Sequence, residues 1–246
     1  MDRVEVVVDG DAADAHGVGD VLDGTPQDER AALVEQPHRA LFVLAGQQRQ
    51  PPTEFGFDGV DESVERADIS VTGYGVKAFT LSMVRAAINV TDGRIPSTVV
   101  GELADLGRSM LVEDVHLLPH VSEVLAVVSP SVRTVLITKG DLVHQTRKVT
   151  TSGIEHHFTD IDIVLEKDPD TYAKILHRLG VAPERFLMIG NSVRSDVLPV
   201  LALGGHAIHV PYHITWEHER VDDHGQEVVE LSTIADVPIW LGLTEL

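Results

Sequence analysis

Apolar positions along the chain follow two rhythms, and the change between them falls near Leu117. Beyond that point strand and helix patterns alternate. Val121, Val124, Leu125 and Val128 recur at i, i+3, i+4 and i+7, the spacing of one helix face, and Pro130 stops that helix. Thr134 to Thr138 is a β-rich run, a polar helical stretch follows from Asp141 to near Gly153, and Ile161 to Leu165 is the next predicted strand. Asp168-Pro169 opens a helix as N-cap and first helical residue, with Tyr172, Ile175, Leu176 and Leu179 on its buried face and Gly180 as its stop. Phe186 to Ile189 and Ala207 to Val210 read as strands, separated by a helix from about Ser195 to Leu203. Strands alternating with helices predict a parallel sheet wound by right-handed crossovers.

Before Leu117 this rhythm is absent. Val4 to Val8 is a short buried strand, and a long section follows it. Within that section Val76, Phe79, Met83, Ala87 and Val90 make one amphipathic helix, stopped by Thr91-Asp92-Gly93, and Val99 to Leu111 makes another, with Pro96 near its start. A helical section placed after the first strand reads as a lobe inserted over the carboxyl edge of the sheet. The expected division is therefore an α/β core of residues 1–11 and 116–246, with 12–115 as an inserted helical cap. Residues 12–70 are atypical of either part: they contain no lysine, much Asp, Gly and Gln, and a Pro51-Pro52 break. Ala40 to Leu44 is an apolar run of uncertain type within them.

Composition and charge sharpen the picture. The 246 residues are 43% hydrophobic and show no apolar run long enough to span a bilayer, which predicts a globular chain with a sizeable core and no membrane partner. The first residues lack the basic-then-apolar layout of a signal peptide, so a cytoplasmic location is expected. A formal charge of −20 would be repelled by nucleic acid and by anionic membranes. With no cysteine, disulfides and thiolate metal sites are excluded. Oligomeric state is not encoded in any of these patterns.

Chemistry concentrates where the predicted strands end, the edge at which open α/β sheets bind ligands. Asp9-Gly10-Asp11 follows the first strand; its carboxylates at i and i+2 can both face a ligand, one attacking phosphorus and the other donating a proton, or they can form a plain surface turn. Thr138-Lys139-Gly140 ends the next clear strand. Its hydroxyl and following amides suit phosphoryl oxygens at a helix N-terminus, although Thr138 could equally cap the helix that starts near Asp141. Lys167, after the third strand, could neutralise developing charge or stand solvated. Asn191 and Asp196, after the fourth, offer oxygen donors suited to Mg²⁺, or serve as a turn residue and a helix N-terminal acid. A phosphate site on so acidic a chain calls for a divalent cation that locally inverts the field. Among the histidines, His209 and His213 stand at i, i+4, the spacing of a zinc pair on a helix. Pro211 between them argues instead for exposed or hydrogen-bonded side chains.

The ordered strings resemble the haloacid dehalogenase-like (HAD) hydrolase superfamily, in a bacterial phosphatase-like branch. The match is carried by Gly73-Tyr74-Gly75-Val76-Lys77-Ala78-Phe79, Ile137-Thr138-Lys139-Gly140-Asp141, Glu166-Lys167-Asp168-Pro169, Gly190-Asn191-Ser192-Val193-Arg194-Ser195-Asp196 and Val210-Pro211-Tyr212-His213. The resemblance implies a Rossmann-like parallel-sheet core with a mainly helical cap inserted after strand 1. It also implies Mg²⁺-dependent hydrolysis of a small phosphorylated metabolite through an aspartyl-phosphate. On that pattern Asp9 is nucleophile and Mg²⁺ ligand, and Asp11 is acid/base with its backbone on the metal. Thr138 and Lys167 hold the phosphoryl group, and Asn191 and Asp196 complete the metal site. The chain departs from the pattern in having Ala13 where the family has Thr, and Asn191 where Asp is commoner. Those departures motivate an alternative, a catalytically impaired binding or regulatory module.

Overall fold

A computed structural model describes residues 4–8, 39–42, 69, 71–212 and 228–243. Its centre is a seven-stranded sheet in the order β4-β3-β2-β1-β5-β6-β7, with every neighbouring pair parallel. The strands are β1 (Val4–Val8), β2 (Arg39–Phe42), β3 (Arg133–Lys139), β4 (Asp160–Val164), β5 (Phe186–Gly190), β6 (His206–His209) and β7 (Val229–Glu230). The chain winds outward from β1 through β2, β3 and β4, then crosses back to β5 on the other side of β1. Strand order thus reverses between β1 and β5, which is where a doubly wound sheet opens a crevice at its carboxyl edge. Val8 stands opposite Ile189 in that pairing.

Strict alternation builds the core on both faces. Leu136, Leu187 and Ile189 pack with Val121, Val124, Leu125 and Val128 of α3 (Val121–Val128) and with Val237 and Trp240 of α7 (Val237–Trp240). Val135, Ile137, Phe186 and Met188 point to the opposite layer, against Tyr172, Ile175 and Leu176 of α5 (Pro169–Leu179) and Val200 of α6 (Leu198–Ala202). The first of these layers also takes Val149 of α4 (Leu142–Ser152). A fully buried strand such as β5 reads as a continuous apolar run because both of its faces are covered. At the edge, β4 carries Asp160 and Asp162, paired with Arg133 and Arg178, and charged side chains of this kind discourage further strand pairing.

The helical section supplies α1 (Val76–Val90) and α2 (Ser97–Val112), which pack on each other. They approach closely at Gly107, where an added Cβ would sit 2.7 Å from Thr80 Cγ2. α1 and the turn before it touch the loops after β3 and β4, where Lys77 bonds Asp141 and Tyr74 bonds Glu166, and α2 meets α4, where Arg147 donates to Leu111 O at 2.9 Å. No helix among the described residues is long and apolar enough to cross a membrane.

Three expectations shift. The run of uncertain type is strand β2 over Arg39–Phe42, pairing along β1 and meeting β3 only at Phe42 opposite Thr134. Even so, Cα atoms of β1 and β3 come within 8 Å of one another. The third strand begins at Asp160 rather than Ile161 and ends at Val164, leaving Leu165 exposed after it. The single helix expected from Ser195 to Leu203 is a π-helical turn, Val193–Val197, followed by α6. That wider turn carries Asp196 into the interior. The section from 12 to 70, apart from β2 and Ile69, lies outside the described residues.

Candidate active site

The end of β3 is fixed by its neighbours. Thr138 is buried within the strand, and Lys139 is its last residue. Gly140 follows at φ +143, where a side chain is disfavoured and an added Cβ would lie 2.9 Å from Gln145 Nε2. That amide in turn donates to Lys139 O at 2.9 Å. The Gly140 N–H donates to Val164 O at 3.2 Å, closing the β3–β4 edge, so the amide expected to meet a phosphoryl oxygen is already engaged. Asp141, not Thr138, caps α4: its carboxylate accepts the His144 N–H at 2.9 Å and the Lys77 ammonium at 3.0 Å. Partial burial raises the Asp141 pKa, but the His144 N–H and the Lys77 charge outweigh it and hold the carboxyl below its ordinary range.

The end of β5 carries the most constrained acid. Asp196 is completely buried, and Lys167 is 4% exposed. Lys167 Nζ donates to Asp196 Oδ1 at 2.7 Å, and the Ser192 N–H donates to Oδ2 at 2.9 Å. Ser192 caps the π-helical turn, its hydroxyl accepting from the Ser195 N–H at 3.0 Å. Gly190 is required by proximity: an added Cβ would sit 2.6 Å from Asp196 Cβ. Neither the solvated lysine nor the surface helix acid therefore describes this pair. It is a desolvated ion pair whose oxygens each have a donor.

A second lysine reaches the same turn. Lys139 Nζ lies 3.2 Å from Ser195 Oγ, 3.3 Å from Glu166 Oε1 and 4.0 Å from the Tyr74 ring centroid. Thr138 and Lys139 at the end of β3, Lys167 after β4, and Asn191 and Asp196 after β5 thus meet at one edge of the sheet, across the ends of β2 and β1. Asn191 directly follows β5 and is half-buried, and its carbonyl accepts from His209 Nε2 at 3.1 Å. His209 Nδ1 faces Glu230 at 2.9 Å, and His206 bonds Glu184 O, so both histidines are hydrogen-bonded side chains as expected. His213 lies outside the described residues, as do Asp9 and Asp11; Asp9 directly follows Val8, the last residue of β1. Two ammonium groups beside a buried carboxylate and a buried hydroxyl form a site that can receive an anion and stabilise charge developing on it.

The family model described as haloacid dehalogenase-like hydrolase matches residues 13–204. The chain belongs to the haloacid dehalogenase-like hydrolases. Among solved structures it is similar to a haloacid dehalogenase-like family hydrolase from Xanthomonas campestris, at 34% identity and TM-score 0.67, over 87% of this chain and 80% of that one. A putative HAD-hydrolase from Bacillus subtilis bound to magnesium shares the fold at 13% identity and TM-score 0.58, over 87% of this chain and 92% of that one. A curated relative, glyceraldehyde 3-phosphate phosphatase from Methanothermobacter thermautotrophicus, is 30% identical over 108 residues, 42% of this chain. The chain spans about half the length of that relative, at 48%.

For this haloacid dehalogenase-like hydrolase, the matched span begins four residues after Asp9, so the first motif stands outside it and the other three inside. Sequence spacing did not single out Glu166, Tyr74 or Ser195 as parts of the site. The available signals were local: Glu166 directly precedes Lys167, and Tyr74 stands between two glycines.

Proposed function

We propose that this hydrolase cleaves the phosphate monoester of a small metabolite with the help of Mg²⁺. The observation that carries the reading is Lys167, a buried ammonium held 2.7 Å from Asp196 at the carboxyl edge, with Thr138 and Lys139 on the neighbouring strand end. The phosphatase name of the Methanothermobacter relative supports the substrate class. In this reading an Asp9 carboxylate oxygen bonds to phosphorus as the ester P–O bond breaks, and Asp11 delivers a proton to the leaving alkoxide. Asp11 then takes a proton from water, which displaces Asp9 and releases phosphate. Lys167 and Lys139 neutralise charge on the phosphoryl oxygens, and the Thr138 hydroxyl donates to one of them.

The donor chemistry suits a hard cation, since the chain has no thiolate and places the Asp196 carboxylate and Asn191 at one strand end. Among the described residues no group of three or more His, Asp or Glu gathers as a metal cluster, so the remaining ligands fall to Asp9 and Asp11. When bound, Mg²⁺ would screen the repulsion between a carboxylate nucleophile and a phosphate dianion. The test is hydrolysis of an aryl phosphate with and without Mg²⁺. Wild-type protein turns over with Mg²⁺, and Asp9→Asn lowers kcat at least a thousandfold, as expected for loss of a covalent nucleophile. Equal turnover by Asp9→Asn removes Asp9 from the mechanism. The second reading, an impaired binding module, is favoured by Ala13 and Asn191. It predicts phosphate binding with no turnover on any ester in the panel.

A further inference from the structure

One polar cluster at the site lies outside these proposed roles. Tyr74 is framed by Gly73 at φ +71 and Gly75 at φ +118, immediately before α1. Its hydroxyl donates to Glu166 Oε2 at 2.7 Å. The other oxygen, Glu166 Oε1, accepts the Lys167 main-chain N–H at 3.0 Å and the Lys139 ammonium at 3.3 Å. One carboxylate thus gathers donors from the entrance to the helical pair, from the end of β3 and from the residue that carries the buried ammonium. Glu166 is 44% exposed at its side chain, and a pair with one lysine alone would hold it weakly. The phenol and the main-chain amide, one on each oxygen, are what give the carboxylate a single position.

We propose that Tyr74 is a positioning residue: through Glu166 it sets the Lys139 ammonium and the main chain of Lys167, so that the seating of α1 fixes the two cations that meet the phosphoryl group. The part concerning phosphate rests on the function proposed above. The two positive-φ glycines let the chain turn sharply on both sides of Tyr74, and an added Cβ at Gly73 would meet nothing within 4 Å, so backbone conformation and not space selects it. The Tyr74 ring also faces Lys139, a contact that Tyr74→Phe retains while it deletes only the hydroxyl.

Lys77→Met is the comparison. It too cuts a bond between α1 and the core, to Asp141 at 3.0 Å, but that bond reaches neither lysine of the site. Three measurements on the full chain separate the roles: calorimetric binding of inorganic phosphate, the KM and kcat for an aryl phosphate, and hydrogen exchange across residues 165–168. Tyr74→Phe should weaken phosphate about three- to tenfold, the share of one hydrogen bond to a carboxylate that reaches phosphate through the lysines. It should raise KM with kcat within about twofold and speed exchange of the Lys167 amide, whereas Lys77→Met moves none of the three. Unchanged exchange and unchanged affinity in Tyr74→Phe overturn the proposal, as do equal effects from Lys77→Met. If wild-type protein binds no phosphate and turns over no ester, the phosphatase reading fails by itself. Exchange at 165–168 then still decides whether Tyr74 positions Glu166.

Discussion

Replacing Asp196 by Asn isolates what the buried ion pair contributes. In the wild-type protein Lys167 is 4% exposed and its Nζ lies 2.7 Å from Asp196 Oδ1. At that separation and an effective dielectric of about 20, the gross attraction is about 6 kcal/mol. Most of it offsets the cost of taking both charges out of water, so the net worth of the pair is small. Removing one partner is different, because the desolvation cost of the other charge then stands uncompensated, at about 3–5 kcal/mol. Asn also cannot serve both existing donors. With its carbonyl oxygen kept on the Ser192 N–H, its NH₂ faces the Lys167 ammonium, donor against donor. Urea unfolding followed by circular dichroism reads the difference. With a slope of about 3 kcal/mol per M, the midpoint should fall by about 1 to 1.7 M. The double variant Lys167→Met/Asp196→Asn should recover at least half of that loss, since no unpaired charge remains. A single variant within about 1 kcal/mol of wild type, or a double variant less stable than the single, would refute the assignment of Lys167 as a buried cation held by this carboxylate.

Gly190→Ala should displace Asp196, because the new methyl would lie 2.6 Å from its Cβ; about 1–3 kcal/mol of stability and most hydrolytic activity should go together, checked by melting and turnover. Asp168 caps α5 by accepting the Thr171 N–H at 2.8 Å, and that backbone hydrogen bond is the main reason its pKa is lowered. A depressed carboxylate contributes stability above its unfolded pKa and loses it as pH falls through the folded value, so the cost of Asp168→Ala, about 1 kcal/mol at pH 7, should shrink steadily as pH falls below the ordinary carboxylate range. A difference that does not shrink on acidification would contradict this. Inorganic phosphate should bind at least about tenfold more tightly with Mg²⁺ present, equivalent to about 1.4 kcal/mol, and equal binding without the cation would count against a metal-assisted site.

What the sequence made legible were features that periodicity can carry. Thr138 and Lys139 end a five-residue buried core on β3, and Gly190 ends the wholly buried β5, so their places at the sheet's edge follow from counting apolar positions. The helix cap at Asp168-Pro169 was legible for the same local reason. Periodicity failed where tertiary contacts decide the backbone. The turn after β5 is π-helical because Ser192 O accepts from both Asp196 N and Val197 N while Asp196 turns inward to Lys167, a partner 29 residues away. Thr138 lost the capping role because Asp141, three residues on, reaches the His144 N–H first. Strand β7 is two residues long and carries no pattern of its own. Tyr74 joins the site through Glu166, 92 residues away, and no spacing along the chain announces a contact of that kind.

Charge balance ties the fold to the chemistry proposed for it. The described part of the site holds two ammonium groups, Lys139 and Lys167, and two carboxylates, Glu166 and Asp196, which sum to zero formal charge. Around that neutral cluster the whole chain carries −20. A phosphate dianion entering such a site gains from the lysines only what it takes from their present partners, and every distant acid opposes it. Binding therefore requires either that the carboxylates be given another cation to face or that their lysines be released to the phosphoryl oxygens. In the reading proposed above, a divalent ion held by Asp196 would give that carboxylate a cation to face and leave the Lys167 ammonium to the phosphoryl oxygens.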